Sequence, residues 1–155
     1  MRKIDNYDEY AGVPPKIIES GVFNDVKDHW AKDYIAIAVD KGIINGKSET
    51  EFGIGENLSR QNAAVIIARV ADLAGYTLKS GNAPAFTDKG EIAAYALDGV
   101  TRLANAGIIN GMGDGTFAPD NPVTYEQALK MMVCALGYEA AAVEMGGWPD
   151  GYVAQ

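Results

Sequence analysis

The chain repeats itself. Gly42-Ile43-Ile44-Asn45-Gly46 returns as Gly107-Ile108-Ile109-Asn110-Gly111, and Phe52 returns as Phe117, each 65 residues later. A period of this length means two copies of one supersecondary unit, which constrains the fold more than any local propensity. Upstream, Phe23-Asn24-Asp25 answers Phe86-Thr87-Asp88 at an offset of 63, so the second copy has gained two residues inside or before its first helix. Downstream, Leu58-Ser59-Arg60-Gln61-Asn62-Ala63 answers Val123-Thr124-Tyr125-Glu126-Gln127-Ala128. A third copy begins at Gly147-Trp148, whose aromatic spacing to Tyr152 matches that of Trp30 to Tyr34. The expected organisation is therefore a lead-in over 1–22, a first repeat over 23–80, a second over 81–145, and the start of a third over 146–155.

Each copy reads as helix, loop, helix. The first helix of copy one should start near Asp28, with Trp30, Tyr34, Ile37 and Ala38 spaced to share a face. Gly42 and Gly107 stand where a left-handed residue closes a helix, and the Ile-Ile pairs that follow suit a short buried extended segment. A loop rich in Gly, Asp, Asn and Pro leads to Thr124-Tyr125-Glu126-Gln127, which has the form of a capping box, with Ser59 in the capping place of copy one. Behind these caps, Ala63, Ala64, Ile67 and Ala71 form one apolar stripe, matched by Ala128, Leu129, Met132 and Leu136. A two-helix unit cannot enclose its own apolar face, so the repeats must stack or close around an axis. The fold class that follows is all-α. In the lead-in, Val13-Pro14-Pro15 interrupts any helix, leaving room for a short one over 16–20.

Composition bounds the function. With 155 residues and 48% hydrophobic content the chain can bury one ordinary core. Its 13 basic against 21 acidic residues, a formal charge of -8, oppose broad attraction to nucleic acid or to an anionic membrane. No apolar run reaches the roughly 18 residues needed to span a bilayer, and the opening residues lack the apolar core of a secretion signal, so any export signal is expected to have been removed. The single cysteine, Cys134, rules out an intrachain disulfide and a cysteine-based zinc cluster; it falls opposite the apolar stripe, in an exposed or inter-repeat position. One histidine, His29, provides for neither a His-based metal site nor a catalytic triad. The 114–121 loop lacks the alternating oxygen ligands of a calcium loop, and Glu49 and Glu51 lie in a polar loop with no apolar pocket suggested. Neither a metal nor a cofactor is expected.

The pattern Phe23-x-Asp25-Val26-x-x-His29-Trp30-Ala31, Gly42-Ile43-Ile44-Asn45-Gly46, Phe52 and Leu58-Ser59-Arg60 resembles the S-layer homology repeat. The second copy resembles it more closely still in Asn110-Gly111-Met112-Gly113-Asp114-Gly115-Thr116-Phe117-Ala118-Pro119 and Val123-Thr124. The resemblance covers nearly everything after residue 22. It implies tandem helical hairpins forming part of a pseudo-threefold prism, and a module that fastens exported proteins noncovalently to pyruvylated secondary polysaccharide of the cell wall. It implies an extracellular, wall-associated location and no catalysis.

An acidic, pyruvate-bearing sugar calls for a cation, hydrogen-bond donors and an apolar platform. Arg60 resembles the family's ligand-binding arginine, whose planar fork suits a carboxylate. Beside capping Ser59 it would sit where free helix-start amides favour an anion. Trp30 and Trp148 match the family's tryptophan, whose ring can lie against sugar carbons. Gly111, Gly113, Asp114 and Gly115 form a loop whose exposed amides line a groove. There are departures. Copy one has Asn62 in place of the motif glutamate and Lys47-Ser48-Glu49-Thr50-Glu51 in place of the glycine loop. Copy two has Tyr125 in place of the arginine, and its tryptophan position falls near Ala93.

Other readings stay open: Trp30 and Trp148 as core residues, Arg60 as a solvated charge or a partner for Glu56. At the level of the whole chain, a polysaccharide-binding anchor stands against degenerate repeats that serve as a structural or self-association module without sugar binding, and against a wall-active enzyme, for which no nucleophile or acid–base pair is in view. The third repeat, cut short, would leave an apolar face open to self-association or to exchange of elements between chains.

Overall fold

A computed structural model describes residues 23–78 and 85–153. The proposed helix over 16–20 lies outside the described residues. Within them the chain is helical: α1 Lys32–Asp40, α2 Arg60–Leu73, α3 Leu97–Asn105, α4 Tyr125–Ala135, α5 Glu139–Glu144 and α6 Asp150–Val153, with single 3-10 turns at Asn24–Val26 and Lys89–Glu91. The sole β pairing among the described residues is an isolated bridge between Ser59 and Pro122, so the all-α expectation holds.

Contacts divide the chain into two compact units, Met1–Gly55 and Glu56–Gln155. The division falls inside the first sequence copy. Its second helix, α2, therefore packs with the second copy: the covalent repeat and the packing unit are out of register.

In the first unit, α1 begins at Lys32 rather than near Asp28. The preceding residues make shorter turns: Lys32 N donates to His29 O at 3.0 Å and Ala31 N to His29 Nδ1 at 3.2 Å. Gly42 ends the helix with φ +69°, as its position predicts. The Asp25 carboxylate ties down the following loop by accepting the amides of Phe52, Gly53 and Ile54 at 2.9, 2.7 and 3.0 Å. These three bonds, Phe52's first, hold its carboxyl down at about 2. Gly46 has a packing reason to recur: a Cβ there would stand 2.2 Å from the Phe23 ring.

The second unit repeats these devices. Helices α1 and α3 correspond at an offset of 65 at both ends. Gly107 ends α3 with φ +75°. Asp88 accepts the amides of Phe117 and Ala118 at 2.8 and 2.7 Å, and a Cβ on Gly111 would stand 2.6 Å from Thr116 O and 3.0 Å from the Phe86 ring. The core joins Ala63, Ala64, Val65, Ile67 and Ala68 of α2 to Val100 and Leu103 of α3, with Ile108, Ile109 and Phe117 of the loop and Met131 and Ala135 of α4. Gly99 of α3 lies against α2, where a Cβ would just reach ordinary contact, 3.4 Å from Val65 Cα. Arg102 bridges to Asp72 across the same pair of helices.

The apolar stripe expected on α2 is buried as read: Ala63, Ala64, Ile67 and Ala71 are all below 5% exposed. The matching stripe on α4 is not. Met132 is 42% exposed and Ala128, Leu129 and Leu136 are half-buried, while Met131 and Ala135 are buried, so α4 turns a different face to this core. Cys134, expected in an exposed or inter-repeat position, is half-buried and packed against that core, which residues of both copies share.

Candidate functional site

The start of α2 is where the sequence places a carboxylate site, and the structure fills that place with protein. Ser59 caps the helix, its hydroxyl accepting from Asn62 N at 3.3 Å. The amides expected to be free are occupied: Arg60 N donates to Asn121 O at 2.9 Å and Gln61 N to Pro119 O at 3.0 Å. The loop of the second copy thus uses the anion-binding capacity of this helix end for its own carbonyls.

Arg60 is not solvated. It is 6% exposed, Nε donates to Phe117 O at 2.8 Å, Nη1 reaches Gln127 Oε1 at 3.4 Å, and the guanidinium lies 5.1 Å from the centre of the Phe117 ring. Burial pushes its pKa down, and the nearby Asp88 carboxylate opposes that shift. Gln61, not singled out in the sequence, is buried beside it: its amide nitrogen donates to Asp120 Oδ1 at 2.6 Å and its oxygen accepts from Ala93 N at 2.9 Å. Together Arg60 and Gln61 lock the second loop to the first copy's helix.

The aromatics behave differently. Trp30 is 80% exposed, its ring edge-on to Tyr34 at 6.3 Å and tilted against His29 at 5.5 Å. Trp148 is 50% exposed and lies under Lys130 Nζ, 5.3 Å from the ring centre. The core reading fails for both. The tryptophan position of copy two is also corrected. Because α1 and α3 correspond at an offset of 65, Trp30 answers Tyr95 rather than Ala93, and the two inserted residues precede the helix. Tyr95 is 63% exposed, and its hydroxyl donates to Asn62 Oδ1 at 2.7 Å. Counting back from Gly107 instead of forward from Phe86 would have found it.

The glycine loop separates into two parts. Gly111 is half-buried under Phe86 and explained by packing. Gly113, Asp114 and Gly115 are exposed. Asp114 Oδ1 accepts from Thr116 Oγ1 at 2.6 Å and Thr116 N at 2.9 Å, which lowers its pKa, and Gly115 O accepts from Thr87 N at 3.0 Å. Within the second unit the structure joins Arg60 to Phe117 and Gln127, Ser59 to Pro122 and Trp148 to Lys130; Trp30 belongs to the first unit.

Helical hairpins out of register with the sequence repeat, a buried arginine lock and an exposed aromatic at the same place in successive copies define a helical repeat module. The S-layer homology domain family matches residues 22–64 and 85–129, more than half of the chain, and this chain belongs to that family. It is 31% identical over 127 residues to an S-layer protein of Bacillus licheniformis and 30% identical over 127 residues to S-layer protein EA1 of Bacillus anthracis, in each case covering 81% of this chain and 14% of the relative. It is also 30% identical over 111 residues to an endoglucanase of Bacillus sp. (strain KSM-635), covering 71% of this chain and 12% of the relative. The chain thus spans about a seventh of the length of these S-layer proteins and less of the endoglucanase.

Proposed function

We propose that this chain is a non-catalytic anchoring module that holds an exported protein on the bacterial cell wall by binding pyruvylated secondary polysaccharide. One observation carries the reading: the aromatic at the head of the first helix, Trp30, Tyr95 and Trp148 in the three copies, is 80%, 63% and 50% exposed. Large rings are ordinarily drawn into cores, and a ring held outside at the same repeat position in every copy is suited to the apolar face of a sugar. Membership of the family and the likeness to S-layer proteins support the wall as the place of action. The endoglucanase likeness supports a portable module attached to different partners. No helix among the described residues is long and apolar enough to cross a membrane.

In this reading the exposed amides of Gly113, Asp114 and Gly115 offer donors to the polymer. Ser59, Arg60 and Gly111 hold the surface in shape, because their groups are engaged by the protein itself. That engagement of Arg60 also favours the second reading, a structural module without sugar binding. The deciding experiment is sedimentation with purified sacculi before and after mild acid strips the secondary polymer. Wild type should pellet only with unstripped walls. Trp30→Ala should pellet less while keeping its helical circular dichroism, since so exposed a ring contributes little to folding. Pelleting that ignores the polymer, or no pelleting, would leave the structural reading standing.

A further inference from the structure

The repeated pentapeptide ends in each copy on an asparagine followed by a glycine, Asn45-Gly46 and Asn110-Gly111. Packing dictates the glycine: a Cβ on Gly46 would stand 2.2 Å from the Phe23 ring and 2.8 Å from Glu51 O, and one on Gly111 2.6 Å from Thr116 O. Both asparagines are exposed. A side chain on the residue after asparagine ordinarily shields the asparagine amide from that residue's own backbone nitrogen, and glycine has none. The fold therefore keeps a thermolabile amide next to an unshielded nucleophile in both copies. That nucleophile is also unengaged, since neither Gly46 N nor Gly111 N donates to an acceptor among the described residues. The two amides differ. Asn110 Nδ2 donates to Gly107 O at 3.5 Å, whereas the Asn45 side chain bonds to no group among the described residues.

We propose that Asn45 is a site of spontaneous deamidation, with Asn110 its slower counterpart. Gly46 N, its proton lost to solvent base, attacks Asn45 Cγ. The bond from Cγ to Nδ2 breaks, the nitrogen takes a proton from water and leaves as ammonia, and a five-membered succinimide closes. Water then opens the ring at either carbonyl, giving aspartate or isoaspartate at position 45, with no oxidant or reductant involved. Asp114-Gly115 has the same glycine without the amide: the Thr116 hydroxyl and backbone amide hold the Asp114 carboxyl low, and a carboxylate offers the attacking nitrogen no leaving group. Isoaspartate adds one carbon to the main chain beside Gly46, which already has no room against Phe23. The modification thus falls on the contact between this loop and Phe23, in the unit that carries Trp30.

The test incubates the full native chain in mildly alkaline buffer, which favours loss of the glycine amide proton, beside the same chain in urea and an unincubated sample. Trypsin cleavage at Lys41 and Lys47 isolates 42–47 with Asn45, and cleavage at Arg102 and Lys130 isolates 103–130 with Asn110. Each peptide is followed by mass for conversion of amide to acid, and with an isoaspartate-specific methyltransferase. In the native chain 42–47 should convert several-fold faster than 103–130, and in urea the two should converge, because the residues from Gly-Ile-Ile to Asn-Gly are the same. Asn45→Gln should silence conversion in the first peptide while leaving the circular dichroism unchanged. An intact 42–47 peptide from the incubated native chain overturns the proposal, and so does native conversion that is equal in the two peptides or led by 103–130. Neither result depends on wall binding.

Discussion

Arg60 shows how far a residue's role depends on what folds over it. From the sequence it is a cation at a helix start. In the structure its Nε satisfies a buried carbonyl and its plane covers Phe117. Arg60→Ala would strand that carbonyl and open a gap on the ring, so it should lower stability by about 3 kcal/mol, read as a shift in the urea midpoint. A variant as stable as wild type would mean that the arginine is not a lock. Asp25 makes the complementary case, a carboxylate whose value lies in its backbone bonds. Its pKa is held at about 2 against an ordinary 3.8, so the folded form takes up a proton less readily than the unfolded one. Its stabilising contribution is whole above about pH 4 and is lost as pH falls through about 2. Carbon-13 NMR titration of the side-chain carboxyl should find the midpoint near the lower value, and a midpoint in the ordinary range would refute the three-amide clamp. The signal for both aspartates was present in the recurring Phe-x-Asp, but nothing in a sequence says which amides a carboxylate will meet 27 or more residues away.

At the scale of elements, local chemistry was legible. Gly42 and Gly107 stop helices, Ser59 caps α2, and Thr124 with Gln127 forms a reciprocal capping box on α4. Thr124→Ala should therefore cost about 1 kcal/mol in thermal unfolding, more than the same change at the exposed Thr50, which caps no helix. Equal costs would show the box to be idle. What periodicity could not supply was which side of α4 is inside. The stripe through Ala128, Leu129, Met132 and Leu136 is as apolar as the one on α2, yet Met131 and Ala135 are the residues buried. The two second helices have different neighbours, and the neighbour chooses the face. The same blindness misplaced the second copy's aromatic, since an offset counted across an insertion cannot tell on which side of the extra residues the helix begins.

For the molecule as a whole, the packing unit Glu56–Gln155 predicts where the chain can be cut. A fragment of 56–155 keeps every residue of the main core and should melt cooperatively by circular dichroism. A fragment of 81–155, cut at the sequence repeat, loses the five α2 residues of that core and should not. Cooperative melting of the shorter piece would mean that the second copy is self-sufficient and that the shared core is incidental. The same arrangement bears on the anchoring proposal, because a loop from one copy and a helix from another are fixed together before any ligand arrives, leaving the outward rings as the surface to be read.

By itself the sequence determined the two copies, the all-α class, the caps and stops, and the family, since each of these is written in residues near one another or repeated at a fixed distance. Tertiary structure alone decided that Arg60 is buried and Trp30 exposed, and that the helices pair across the repeat boundary. Those outcomes depend on contacts between segments tens of residues apart, where competition for a common core assigns each side chain to the inside or the outside.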